Sequence, residues 1–177
     1  MKRTLAAASI ALFLSVSLAG CITVNLPSGE EQPAPGVTLG SDDDSRTTVA
    51  CTDGTALINQ AGTDYLVTGE CETVTIEGAG VDVHVENTNA LVVRGDGNDV
   101  EVAKLGSVLI NGQDNEISAT ETLAVAKIEI AGNQNDVSIL GTIDAVVLNG
   151  NENDIEYVGE IVSLSDNGSN NTTELNE

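Results

Sequence analysis

Aromatic residues are almost absent from this 177-residue chain, which contains two Tyr, one Phe and no Trp. Aromatic rings supply much of the buried area of conventional cores and of sugar-binding clefts. A core in this chain must therefore be built from Val, Ile, Leu and Ala. That composition favours stacked β-strands over a conventional sandwich.

Basic residues are also scarce, with six Lys and Arg against 28 Asp and Glu and a formal net charge of −22. Only Arg46, Arg94, Lys104 and Lys127 follow the first three residues. A surface this acidic repels nucleic acid and anionic lipid head groups. Nucleic-acid binding is therefore excluded. Solubility is the simplest role of the charge, and attraction of cations or basic partners is the alternative.

The chain has no readable catalytic constellation. His84 is the only histidine, and it falls at an outward strand position of the repeat described below. No Ser-His-Asp set is supported, and carboxylates are so numerous that any glycosidase pair would be arbitrary. We expect no enzymatic activity and no cofactor. A carbohydrate-active enzyme is the least favoured class, because the loops are short and basic and aromatic residues are few.

No apolar run is long enough for a membrane-spanning helix, and the N-terminus instead has the pattern of a signal peptide. Lys2 and Arg3 precede an apolar stretch over residues 5–17, and Leu-Ala-Gly-Cys follows at 18–21. This ending resembles the lipobox of bacterial lipoproteins, which implies removal of residues 1–20 and acylation of Cys21. The resemblance predicts an extracytoplasmic protein anchored to the cell membrane by an N-terminal lipid. Ordinary cleavage beside an incidental cysteine is the alternative.

Residues 21–47 are predicted to form the lipidated cysteine and a flexible tether. Pro27, Pro33 and Pro35 are the chain's three prolines, and all of them lie in this segment. The segment lacks apolar periodicity and is rich in Ser, Gly and acidic residues, as linkers are. The folded domain is predicted to occupy residues 48–177.

Two cysteines remain, Cys51 and Cys71. In an exported protein such a pair most often forms a disulfide, and metal binding by two lone cysteines is the less favoured alternative. Closing a loop of about 20 residues would stabilise the fold by roughly 3 kcal/mol. We expect the bond to pin an N-terminal flap over the open end of the domain.

An internal repeat begins near residue 51. Each clear copy is an alternating apolar segment that ends in glycine, and these segments are residues 74–78, 91–95, 108–112, 128–132 and 146–150. Weaker copies centre on Gly62 and Gly168, so that successive glycines are 16, 17, 17, 20, 18 and 18 residues apart. Such regular spacing indicates a repeat architecture.

The alternation within each copy predicts short β-strands with inward columns. Positions four and two before the glycine share one strand face, and so do positions five and seven after it. A third apolar column lies seven positions before the glycine. One copy cannot bury this surface, whereas copies stacked ~4.8 Å apart form a continuous core. The sequence therefore predicts an all-β fold, a single-stranded parallel β-helix or β-solenoid, expected to be right-handed, with about seven rungs of 16–20 residues.

The repeated glycines and asparagines are assigned to corners, because Gly and Asn enter left-handed backbone conformations at little cost. Asparagines three residues after the glycines would then stack as a structural ladder of Asn98, Asn115, Asn135, Asn153 and Asn171. Asn is missing from the leading copies, where Tyr65 and Val81 stand instead. In the last copy Asp166 and Thr173 replace apolar inward residues, which predicts a polar cap.

An acidic residue follows each ladder position, giving a predicted column of Asp82, Asp99, Glu116, Asp136 and Asp154. Two unit charges at ~4.8 Å repel by about 0.9 kcal/mol even in water. Bound calcium would relieve this repulsion, and a solvated acidic edge with diffuse counterions is the alternative. The repeat lacks the double-glycine and aspartate pattern of calcium-binding β-rolls, which counts against a tight site.

The lipobox, the tether, the spacing of Cys51 and Cys71, and the glycine-x-x-asparagine motif followed by alternating valines together resemble the bacterial lipoproteins of the family DUF3060. The resemblance covers roughly residues 50–175. The family has no established activity, so the resemblance implies architecture and no mechanism. Val81 and Tyr65 depart from the asparagine of the motif.

The function expected from these features is that of a non-enzymatic, lipid-anchored envelope protein that serves as a structural or interaction scaffold. Its expected partners are the membrane, through the lipid, and an envelope protein or polysaccharide. A calcium-binding surface module that uses the acidic column is the alternative.

Overall fold

The computed structural model describes residues 46–122 and 124–176, and these residues form strands and no helix. None of the described residues forms a helix of the length and hydropathy needed to cross a membrane. The predicted signal peptide, Cys21 and most of the predicted tether lie outside the described residues. The all-β prediction is confirmed: parallel strands stack as a β-solenoid of about seven turns.

The strands are short segments joined by tight corners. Their bounds are β1 Thr47–Ala50, β2 Thr55–Ile58, β3 Tyr65–Ile76, β4 Asp82–Val93, β5 Asp99–Ile110, β6 Glu116–Ala119, β7 Ala124–Val125, β8 Lys127–Ile130, β9 Asp136–Ile139, β10 Thr142–Leu148, β11 Asp154–Tyr157, β12 Ile161–Asp166 and β13 Thr172–Leu175. Every ladder between these strands is parallel. Each strand pairs with the equivalent strand one turn away, as the repeat predicts.

Each turn, here called a rung, has three faces, which we name after the turn at residues 82–93. Face A contains residues 82–85, face B residues 87–89 and face C residues 90–93. Inward columns of face A include Val83 and Val100, and the corresponding column of face C includes Leu91 and Val108. The described core consists of these aliphatic columns, and most members are fully buried. Aligned Val, Ile and Leu side chains thus replace the missing aromatic rings.

The repeated glycines are required for a reason other than the one the sequence suggested. None of Gly78, Gly95, Gly112, Gly132, Gly150 and Gly168 has a positive φ. A Cβ at Gly95 would instead overlap the carbonyl oxygen of Gly78 one rung below, and the later glycines repeat this close approach. Left-handed backbone occurs two residues after the glycines, at Gly80, Gly97, Asp114, Gln134, Glu152 and Asn170.

The first weak copy of the repeat pairs with the next copy in a different register from the predicted one. Ile58 pairs with Ile76, so Gln60, and not Gly62, occupies the position of the repeated glycine. Gly62 has φ of 65° and takes the left-handed position instead. Tyr65 pairs with Val83 and is therefore a core residue of face A. An assignment by glycine alone fails here because two positions of each corner favour glycine for different reasons.

The N-terminal rung is joined to the next by a disulfide between Cys51 and Cys71, whose Cα atoms are 5.6 Å apart. The amide of Cys51 donates to the carbonyl oxygen of Thr68 at 3.2 Å, so Cys51 lies in the plane of the first rung. The disulfide therefore connects the sides of two neighbouring rungs, whereas the sequence predicted that it would pin an N-terminal flap over the open end of the domain.

The C-terminal rung is only partly polar. Asp166 is exposed, and its Oδ1 accepts hydrogen bonds from the amide of Gly168 and from Nδ2 of Asn171. Leu164 and Leu175 occupy inward columns of the same rung but are 50% and 56% exposed. The predicted polar cap thus holds for Asp166 and leaves two leucines at the end of the core.

Candidate functional site

Face A carries the predicted acidic column on its outward side. The strand register places Asp82 beside Asp99, Asp99 beside Glu116, Glu116 beside Asp136, and Asp136 beside Asp154. Thr172 ends the column and donates from its hydroxyl to Oδ1 of Asp154 at 2.6 Å. Glu101 and Glu156 lie two residues further on the same strands. Face A is therefore a parallel sheet surface of high negative charge.

The carboxylates of this column influence one another. Asp99 and Asp136 are exposed residues, yet the partial burial of their carboxyl groups raises the pKa of both above the ordinary value. Neighbouring carboxylates raise the pKa of Asp99 further, chiefly those of Glu116 and Asp82. Asp154 has the same effect on Asp136. Protonation or a bound cation would relieve this repulsion.

No group of three or more His, Cys, Asp or Glu side chains within residues 46–122 and 124–176 is arranged to hold a metal ion. The stacked carboxylates form a row along the solenoid axis and do not surround a common point. The column is thus suited to cations held by its overall charge.

His84 lies on the outward side of face A, as expected. Its Nδ1 is 3.1 Å from Oε2 of Glu101, which comes from the next rung. Both side chains are partly exposed. This contact is an inter-rung surface pair on the acidic face.

The asparagines form a ladder along one corner. Nδ2 of Asn98 donates to Oδ1 of Asn115, and Asn115 makes the same bond to Asn135. The series continues through Asn153 to Asn171. Each Oδ1 also accepts the backbone amide of the asparagine one rung away. Because these side chains satisfy buried polar groups, their role in the structure is to fix the corner.

A groove on face B is lined by residues that, apart from Cys71, the sequence analysis did not select as a site. It has a volume of about 630 Å³, and we call it the face-B groove. Its lining consists of Gly54, Glu70, Cys71, Glu72, Asn87, Thr88, Asn89, Lys104, Leu105 and Gly106. Cys71, Thr88 and Leu105 lie along the bottom of the groove, but their side chains form an inward column, and each residue is 4% exposed. The walls are the residues on either side of this column.

The walls carry charged and amide side chains, and the charged ones form no ion pairs with one another. The described residues form three ion pairs, His84–Glu101, Arg94–Glu77 and Lys127–Glu129, and these do not include Glu70, Glu72 or Lys104. The register places Glu70 beside Asn87 and Asn87 beside Lys104. One wall therefore changes from carboxylate to amide to ammonium over three rungs.

The groove was missed because its wall residues do not repeat. Equivalent positions hold Glu70, Asn87 and Lys104, and a search for recurrent residues passes over such a series. One signal in the sequence could have indicated the groove. In an otherwise regular repeat, the two positions on either side of the inward column of Cys71, Thr88 and Leu105 hold a different residue type in every copy.

Residues 58–109 match the family model described as "Protein of unknown function (DUF3060)". Over these residues the chain is similar to the DUF3060 family. The DUF3060 match contains all of the groove lining except Gly54, and it contains Asp82 and Asp99 of the acidic column. No curated protein and no solved structure shows significant similarity to the chain. The resemblance to DUF3060 is confirmed over residues 58–109 of the predicted 50–175, and the match assigns no activity and does not test the predicted lipid anchor.

Proposed function

We propose that this protein is a non-enzymatic scaffold of the cell envelope, anchored by lipid at Cys21, and that face A contacts a positively charged partner. The observation that carries the proposal is the acidic column on a stacked sheet. Five carboxylates occupy successive rungs of a surface whose register is fixed by the ladder and core beneath it.

Face A offers a preorganised surface. Its strands are held from below by buried side chains such as Val100, Ile117 and Val137. A partner therefore meets carboxylates whose positions are set before contact, which reduces the ordering entropy that binding must overcome. A column of carboxylates that extends over successive rungs favours an extended macromolecular partner.

The raised pKa of Asp99 and Asp136 supports a cationic partner. Like charges are held together by the strand register, and a basic group placed between them would lower the free energy of the column. Lys or Arg side chains of an envelope protein have this chemistry. Electrostatic contacts of this kind speed association and weaken with salt.

Photo-crosslinking on intact cells tests the interaction. A photoreactive residue at Glu101, on face A, is expected to capture a basic protein, and the yield should fall in Asp82→Asn/Asp136→Asn/Asp154→Asn. The matched control neutralises three exposed carboxylates outside face A, in Glu121→Gln/Asp144→Asn/Glu160→Gln. Equal yields from the two triple variants would contradict the proposal.

The anchor is tested separately with Cys21→Ser. The wild-type chain is expected in the membrane fraction and to incorporate a labelled fatty acid. The variant should lose the label and leave that fraction. Retention of both by the variant would exclude lipidation at Cys21.

Calcium binding to the acidic column is the second candidate, favoured by the mutual repulsion at Asp99 and Asp136. The lack of a converging ligand group among the described residues places it second. Calorimetry with millimolar calcium should then show heat and a thermal shift beyond those of sodium at equal ionic strength. The absence of both effects would eliminate this candidate.

A further inference from the structure

We propose that the face-B groove binds a short peptide of about three residues with free termini, its amino group at Glu70 and Glu72 and its carboxylate at Lys104. This inference concerns a different face from the proposed scaffold function. It rests on the order of the charged residues along the groove, on the length of the groove, and on the shape that the local fold gives it.

The hollow follows from the local fold. Between β1 and β2 the chain crosses by a tight turn, so the first rung has no strand on face B, and the amides of Glu72 and Thr73 donate instead to the carbonyl oxygen of Gly54. At the other end, a Cβ at Gly106 would crowd the carbonyl oxygen of Asn89. Close packing therefore excludes a side chain at residue 106, and this end of the groove stays open.

The charges of the groove are separated along the solenoid axis. Glu70 and Lys104 are two rungs apart in register, which corresponds to roughly 10 Å at the spacing of neighbouring strands. An extended chain advances ~3.3–3.6 Å per residue, so about three residues span this distance. An ammonium group at one end of a ligand and a carboxylate at the other would match both ends of the groove.

The middle of the groove suits a peptide backbone. Asn87 and Asn89 lie between the charged ends, and each side-chain amide offers a donor and an acceptor to peptide groups. The groove contains no aromatic ring, and stacking on such rings is the usual basis of sugar binding. These features favour a peptide over an oligosaccharide.

Titration calorimetry of the full-length protein in detergent tests this assignment, with trialanine as the probe. N-acetyl-trialanine and trialanine amide each remove one terminal charge, and each is expected to bind about tenfold more weakly, the usual effect of a lost charged hydrogen bond. Lys104→Met should bind trialanine and its amide equally while still preferring the free amino group. Glu70→Gln/Glu72→Gln should show the reverse pattern.

Lys127→Met and Asp136→Asn serve as controls, because they remove one charge of each sign away from the groove. Both should bind trialanine like the wild type, and thermal melts should show that all variants fold. The proposal is overturned if trialanine does not bind at millimolar concentration or if blocked peptides bind equally well. It is also overturned if the control variants weaken binding as much, or if a neutral trisaccharide binds more tightly. Loss of face A function in Asp136→Asn with normal peptide binding would separate the two proposals.

Discussion

Oδ1 of Asn115 accepts two hydrogen bonds from Asn98, one from its side-chain Nδ2 and one from its backbone amide, both at 3.0 Å. The two residues are 17 positions apart in the chain and 2% and 1% exposed. One amide oxygen thus fixes a side chain and a backbone group of the rung below. Every corner from Asn98 to Asn171 repeats this arrangement, so the ladder holds the rungs in register.

Asn115→Ala is expected to lower the free energy of unfolding by about 2–4 kcal/mol, because it leaves two buried donors of Asn98 without partners and removes one of the two hydrogen bonds that Oδ1 of Asn135 accepts. Urea denaturation measures the change. Asn149→Ala is the matched control, since Asn149 accepts from Asn167 on the exposed surface. The control should cost less than about 0.5 kcal/mol, and equal losses would show that burial of the ladder is unimportant.

Gly112→Ala tests the close approach between rungs. Its Cβ would overlap the carbonyl oxygen of Gly95, so the strands must separate, and we expect a loss of about 2–3 kcal/mol by urea denaturation. Gly80 differs, with φ of 62° and open space around it. Gly80→Asn should therefore cost under about 1 kcal/mol, because Asn tolerates the left-handed region. If the Gly80 variant were the less stable one, backbone conformation and not rung spacing would limit these corners.

The Cys51–Cys71 bond is expected to stabilise the domain by roughly 3 kcal/mol through closure of its 20-residue separation. Thermal melts with and without reductant should show a lower melting temperature for the reduced wild-type protein. Cys51→Ser/Cys71→Ser should melt at the lower temperature under both conditions. If the wild-type melting temperature were the same with and without reductant, the stabilising role of the disulfide would be refuted.

The acidic column predicts a rise in stability as the pH falls from neutrality. Asp99 and Asp136 have folded-state pKa values above the ordinary value of 3.8, so the folded state binds protons more readily than the unfolded state. The cost of burying the two charges, and to a lesser extent their repulsion by neighbouring carboxylates, is therefore present at pH 7 and is relieved as the pH falls through the folded pKa values toward 3.8.

Asp99→Asn/Asp136→Asn should accordingly be more stable than the wild type at pH 7, and the difference should shrink toward pH 4. Urea denaturation across this range provides the measurement. Glu121→Gln/Asp144→Asn changes the charge equally away from the column and should follow the wild-type pH profile. A pH-independent gain in the column variant would point to a cause other than charge.

The stacking of the repeat was predictable because inward columns depend on side-chain alternation, which the sequence shows directly. Val83, Val100 and Ile117 occur at the same offset in successive copies, and they lie in one column of the structure. The spacing of the asparagines likewise indicated the ladder. Features that repeat in every rung are visible in a sequence because each copy supports the others.

The role of the glycines was not predictable, because the sequence gives no distance between backbones. Gly78 and Gly80 both appear as corner glycines, yet one is needed for close packing and the other for a positive φ. The same ambiguity misplaced the first copy on Gly62. The face-B groove escaped prediction for a related reason, since Glu70, Asn87 and Lys104 acquire a common wall only when the rungs are stacked.

One rung is longer than its neighbours: Asn115 and Asn135 are 20 residues apart, whereas Asn98 and Asn115 are 17 apart. β6 nevertheless pairs with both β5 and β9, and β8 pairs with both β5 and β10. The extra residues therefore fall between Ala119 and Lys127, in the stretch that contains β7, and the register of the flanking strands is unchanged. Because the strands before and after this stretch keep their partners, one rung of the solenoid can carry additional residues without displacing its neighbours, as insertions in repeat proteins do.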